Sequence, residues 1–149
     1  MAQKNILQPT YFNLALSVIV ILHFIFPIAK VIIYPWNLIG ILHALLGIYL
    51  NLLTDRSFKK FNTTVKPFEE SRALITVGTF RLTRNPMYMG MTLILLGLCI
   101  FLGSLSGYLI LIIFVLVMDL KFIKNEETML SEKFKSDWQV YKKKVRRWL

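Results

Sequence analysis

The chain has 149 residues, room for a single domain over 1–149, and 56% of them are hydrophobic, in uncharged runs too long for an ordinary soluble protein. A formal net charge of +10 suggests nucleic acid, but its distribution excludes that partner: the basic residues fall between and after apolar segments, where they encode membrane topology. The one cysteine, Cys99, lies in an apolar run as a packing residue and excludes an internal disulfide. No metal-ligand cluster, P-loop or serine-triad pattern is present.

In chain order, a first span is expected from Tyr11 to Ile33, apolar apart from His23 and Lys30 and kinked at Pro27. A lone Lys4 before it and Pro27-Ile28-Ala29 after it make a poor signal peptide, so it reads as a retained anchor. Tyr34-Pro35-Trp36-Asn37 reads as an interfacial turn with aromatic anchors. The second span, Asn37 to Leu53, is close to the lower limit of roughly 17 residues for crossing a bilayer. Between Asp55 and Arg84 stand seven basic residues against three acidic ones, which places this segment on the cytoplasmic side. Third and fourth spans, Met87 to Leu102 and Tyr108 to Lys121, are joined by Gly103-Ser104-Leu105-Ser106-Gly107, read as a tight turn on the far side.

Beyond Lys121 the pattern becomes one-faced. Leu130, Phe134, Trp138, Tyr141, Val145 and Trp148 recur at helical spacing, while Lys133, Lys135, Lys142, Lys143, Lys144, Arg146 and Arg147 fill the remaining positions. This predicts an amphipathic helix at the membrane surface whose basic side chains reach anionic headgroups. The predicted architecture is therefore an all-α integral membrane protein. It has about four transmembrane helices, both termini cytoplasmic and a C-terminal amphipathic interfacial helix. Its place is the cell membrane, or the inner membrane of a bacterium, as a multi-pass protein.

The chemistry-bearing stretch runs from Gly78 to Gly90, where a basic, turn-forming segment passes directly into an apolar helix. Asn85 before Pro86 is a helix-start signal: the Asn side chain can accept from the first free N–H groups, and proline at the first helical position gives up nothing. Arg81 and Arg84 precede that start, so guanidinium groups and the positive end of a helix converge on a point suited to an anion. Glu126-Glu127 lies just past the fourth span, and an acidic pair at a membrane surface suits an ammonium or sulfonium group. On a continuous α-helix Asp119 and Glu126 share a face while Glu127 points about 100° away. A helical hairpin brings the cationic and anionic points together, and a zwitterionic ligand fits both. Gly90 and Gly97, seven apart on one face, permit close helix approach. His43, Gly47, Asn51 and Thr54 form a polar seam in the second span that is a candidate lining for an acceptor pocket.

Several of these motifs resemble a known family. Lys66-Pro67, Gly78-Thr79-Phe80-Arg81, Arg84-Asn85-Pro86-Met87-Tyr88-Met89-Gly90, Glu126-Glu127 and the closing Tyr141 with Val145-Arg146-Arg147-Trp148-Leu149 resemble the isoprenylcysteine carboxyl methyltransferases and their bacterial relatives. Asn-Pro-Met-Tyr-x-Gly with a later Glu-Glu pair also resembles the phospholipid N-methyltransferases. The resemblance implies a helical membrane enzyme using S-adenosylmethionine, with Arg84, Asn85, Tyr88, Gly90, Glu126 and Glu127 as cofactor-site candidates. It implies a lipophilic small-molecule or prenylated acceptor, methylated on a carboxylate or an amine. Arg84, Glu126 and His43 are the candidates for a direct part in the chemistry, with Asp119 a further possible base for an amine. Two readings from other classes stay open. One is a non-enzymatic membrane protein whose basic tail binds anionic lipid; the other is a small nicotinamide-dependent reductase, since similar Asn-Pro motifs occur in membrane sterol reductases.

Overall fold

The structure, a computed structural model, describes residues 8–63 and 73–149. Among the described residues the fold has five α-helices: α1 (Gln8–Ile25), α2 (Ile39–Lys60), α3 (Pro86–Leu102), α4 (Leu105–Val117) and α5 (Lys124–Lys144). Among the described residues there is no strand, and three stretches are long and apolar enough to cross a membrane: Gln8–Ile25, Trp36–Lys60 and the helix that begins at Leu105. α3 is uniformly apolar and has 17 residues, about 26 Å of helix against a hydrocarbon core of about 30 Å. The protein is a multi-pass membrane protein. The outer faces carry exposed Leu14, Ile21, Ile41, Leu45, Ile112 and Leu116, as helices solvated by lipid do.

The helices run up and down. At one end Val31 N–H donates to Gly103 O at 2.8 Å, Leu105 N–H to Ala29 O at 2.9 Å, and the Asn37 side chain to Phe101 O at 3.1 Å. At the other end Gln8, Tyr88 and Glu126 meet, so the start of α1, the start of α3 and the beginning of α5 lie together. The main core is built from Ala15 and Ile19 of α1, Leu95 and Cys99 of α3, and Leu111, Phe114, Met118 and Phe122 on and after α4.

Several boundaries differ from the sequence reading. Helix α1 stops at Ile25 instead of kinking at Pro27 and continuing to Ile33. Proline disfavours helical backbone in the residue before it. The chain from Ala29 to Ile32 instead bonds along Gly103, and His23 Nδ1 lies 3.0 Å from Ser104 Oγ. The expected five-residue turn shrinks to Gly103 and Ser104: Gly103 takes a φ of 71°, open to glycine, and Ser106 and Gly107 already belong to α4. Helix α2 extends past Leu53 to Lys60. Lys66-Pro67 lies outside the described residues.

After α4 the helix does not simply continue. Met118–Ile123 forms a π-helical turn before α5. α5 is amphipathic as its pattern requires. Its stripe of Leu130, Phe134, Trp138 and Tyr141 packs on Phe58, Leu74, Ile75 and Phe80, so the basic face is the one turned outward. The helix bends at Lys135, where φ is 39°, and ends at Lys144. Val145 is extended, so Trp148 leaves the stripe and packs against the main core instead.

Candidate functional site

Helix α3 begins where the sequence places it, with Asn85 at the N-cap and Pro86 first in the helix. The Asn85 side chain does not cap, however. Its Nδ2 donates to Arg147 O at 3.2 Å, while Thr83 Oγ1 donates to the same carbonyl at 2.8 Å. Arg84 N–H donates to Arg146 O at 3.0 Å, and Asn85 N–H to Thr83 Oγ1 at 3.2 Å. These bonds tie the returning tail across the start of α3 and turn the Asn85 NH2 toward the tail.

The acidic pair divides into two environments. Glu127, 8% exposed, pairs with Arg84 Nη2 at 2.9 Å and with Arg147 Nη2 at 2.6 Å. Arg147 also pairs with Asp119 at 3.2 Å, and Trp148 Nε1–H donates to Asp119 Oδ1 at 3.2 Å. Two guanidinium groups thus face two carboxylates. The π turn explains the grouping: one added residue shifts the register, so Asp119 and Glu127, eight apart, reach the same arginine, where an unbroken α-helix would have aligned Asp119 with Glu126.

Glu126 takes its hydrogen bonds from neutral groups: Tyr88 Oη–H at 2.6 Å and Gln8 Nε2–H at 3.2 Å, both to Oε1. Burial raises its carboxyl from the ordinary 4.5 to about 7, against the opposing pull of the bonds from Tyr88 and Gln8. Near neutral pH it is therefore poised between acid and carboxylate.

The Arg84 side chain is only 7% exposed, sits 5.6 Å over the Trp138 ring, and keeps a buried Nε–H without a hydrogen-bond partner. A buried guanidinium N–H left unpaired is costly unless a ligand acceptor meets it.

Of the residues the sequence singles out, Arg84, Asn85, Tyr88, Glu126 and Glu127 come together at this end of the bundle. Gly90 lies on the opposite flank of α3, against Gly47 O and the Asn51 side chain of α2. His43 bonds to Ile39 O in its own helix, one turn from the far end of α2, and is not brought to the cluster. Thr54 of the polar seam reaches Thr79 Oγ1 at 3.3 Å, just before the start of α3. Sequence reasoning missed Gln8, which it left outside the first span, and the pairing role of Arg147, which it placed on the amphipathic helix. Nothing local signalled the role of Gln8, and Arg147 stood in the closing motif of the resemblance with no partner assigned to it.

An all-helical membrane bundle with a charged cluster closing one end of an apolar hairpin is the setting in which the comparisons fall. The model of the phospholipid methyltransferase family matches residues 36–137, and the chain belongs to that family, a family of membrane methyltransferases. An uncharacterized protein of Haemophilus influenzae is 46% identical over 63 residues, covering 42% of this chain and 100% of its own. No solved structure matches the chain. The family match covers Arg84 to Gly90 and the Glu pair, and leaves Gln8, Arg147 and Trp148 outside.

Proposed function

We propose that the protein transfers a methyl group from S-adenosylmethionine to an apolar or lipid-like acceptor at the membrane surface, and that the cluster at the start of α3 holds the cofactor. The observation that carries this reading is the buried, half-satisfied guanidinium of Arg84, set among carboxylates in a chain of the phospholipid methyltransferase family. The donor set suits the cofactor. Arg84 Nε–H and the first N–H groups of α3, which no side chain caps, suit a carboxylate. Glu126, bonded among the described residues by neutral groups, suits an ammonium or sulfonium. Bound there, the cofactor supplies an electrophilic methyl group.

The chain's own contribution is placement and exclusion of water. Glu127, clamped by two arginines, holds Arg84 in position over Trp138. Tyr88 and Gln8 hold Glu126. Fixing donor and acceptor near contact supplies several kcal/mol of a transfer barrier, on the order of 7 in favourable cases. For an amine acceptor, Glu126 is placed to take the proton the amine must lose; a carboxylate acceptor needs no base. Exposed Lys142, Lys143, Lys144 and Arg146 supply attraction for anionic headgroups.

The test incubates membranes containing the protein with methyl-labelled S-adenosylmethionine and separates lipid, protein and small-molecule fractions, with Glu127→Gln as control. Label in one fraction, lost in the variant, is expected and identifies the acceptor. No label together with no cofactor binding by purified protein overturns the reading; binding of NADPH in place of S-adenosylmethionine would turn it to a reductase.

A further inference from the structure

Gln8 is the first described residue of α1 and is 6% exposed. Burying a primary amide costs free energy unless its groups are paired, so its partners identify its purpose. Nε2 lies 2.7 Å from Tyr88 Oη and 3.2 Å from Glu126 Oε1. With Glu126 ionised, the reverse orientation of the amide would set its carbonyl oxygen against a carboxylate oxygen, so in that state the two contacts together fix the NH2 toward the site. An amide NH2 donates and never accepts. Tyr88 Oη must therefore receive a hydrogen bond from Gln8, and its single proton is directed to Glu126 Oε1, 2.6 Å away.

We infer that Gln8 is a positioning residue of the membrane-surface site: it orders the hydrogen bonds so that Tyr88 donates to the ionised Glu126, and so holds that carboxyl where a cationic methyl donor meets it. The inference rests on the functional reading above for what the carboxyl meets, and on the geometry alone for what Gln8 does to it. Without Gln8 the Tyr88 hydroxyl is free to turn and accept from a protonated Glu126, which favours the neutral acid. Among the described residues, Arg84, Asp119, Glu127 and Arg147 at this end are engaged with one another, and Lys121 is turned to the Tyr11 hydroxyl. That leaves the hydrogen bonds of Gln8 and Tyr88 as the contacts opposing the effect of burial on Glu126. Gln8 lies outside the residues matched to the family, so α1 brings to the site a group the matched segment lacks.

The experiment titrates the Glu126 carboxyl by infrared spectroscopy of full-length protein carrying carbon-13 glutamate in lipid nanodiscs, with Glu126→Gln identifying its band. Wild type is expected to titrate near 7. Gln8→Met keeps the length and apolar body of the side chain but removes both donors, and is expected to raise the midpoint by about one unit. Tyr88→Phe, which leaves α1 untouched, is expected to raise it as well, and Gln8→Asn, which retains the amide, to fall between wild type and Gln8→Met. A Gln8→Met protein that titrates as wild type while Tyr88→Phe shifts overturns the inference and leaves Gln8 a packing residue. Should Gln8→Met not fold, Gln8→Asn decides: one methylene shorter, it cannot hold both contacts at their present lengths, so a midpoint above wild type supports the inference, and a wild-type midpoint with full thermal stability overturns it. Binding of labelled S-adenosylmethionine across pH is measured on the same samples, and the pH at which it rises is expected to move upward with the carboxyl midpoint. Absence of binding in every sample counts against the functional reading and not against Gln8, whose effect the infrared midpoint reads directly.

Discussion

On its α2 side, α3 presents Gly90 and Gly97 to Gly47 and Gly40, and backbone meets backbone; on its other side it presents Tyr88, Leu95 and Cys99 to α1 and α4, and side chains fill the space. The pairing on the first side is antiparallel and regular: a Cβ at Gly97 would come 2.5 Å from Gly40 O, and one at Gly47 would come 2.5 Å from Gly90 O. In lipid no hydrophobic force drives helices together, so close backbone approach through small residues supplies the attraction instead. The second side tapers into polar chemistry at its end. One helix thus has a flank that tolerates no addition and a flank whose end carries buried charge. The comparison teaches that the Asn-Pro-Met-Tyr-x-Gly motif is two devices in one, Arg84 to Tyr88 serving the charged cluster and Gly90 serving helix packing.

The two flanks of α3 differ most at Gly97. Gly97→Val should destabilise the fold by about 3 kcal/mol or more, because the atoms it meets are backbone of α2 and cannot yield. Thermal unfolding in detergent checks this, and every activity should fall with it. Next comes Glu127→Gln, which leaves the buried Arg84 short of its counter-charge and should cost about 3 kcal/mol. Unlike the glycine variant it should abolish S-adenosylmethionine binding while the remaining protein stays folded at low temperature. Arg147→Gln should do less. Arg147 is 30% exposed in its side chain and Glu127 keeps Arg84, so binding should weaken rather than vanish in equilibrium dialysis. Glu126 gives a pH signature. Its folded value, about 7, lies above the ordinary 4.5, so folding favours the protonated acid. Its contribution is most favourable below pH 4.5 and is lost as pH rises to 7; Glu126→Gln should flatten that slope in melting curves. The smallest effect belongs to the surface pair of Lys59 and Asp55 on α2, where Asp55→Asn should change stability by less than about 0.5 kcal/mol.

Much of the plan was legible because membrane solvation imposes it. Uncharged runs had to be helices, and the jump from Arg84 to an apolar run through Asn85-Pro86 had to be a helix start at a surface. The hairpin of α3 and α4 then had to bring Arg84 near the Glu pair, and it does. What escaped has physical reasons. The π turn at Met118–Ile123 has no residue signature, since a π turn arises from register demands at both ends of a helix, and it decides which acid Arg147 reaches. Pro27 ends α1 because the following backbone finds partners in Gly103, a tertiary fact. The stripe on α5 was visible, but that it docks on Phe80 and Ile75 depends on a segment remote in sequence. The tail's return over Thr83 and Asn85 is also tertiary, and there Asn85 donates to the tail and does not cap the helix as its identity suggested. His43 and Gly90 show the limit of motif reasoning: position along α2 and the facing side of α3, not residue type, separate them from the cluster.

The central claim is that the polar end of α3 holds the methyl donor. The most direct test is equilibrium dialysis of labelled S-adenosylmethionine against purified protein in nanodiscs, comparing wild type with Arg84→Met, which removes the buried guanidinium while keeping its apolar stem. Wild type should bind saturably and the variant at least tenfold more weakly, as removal of one charge-assisted contact implies. Equal binding by both proteins would contradict it, because the cofactor would then sit elsewhere.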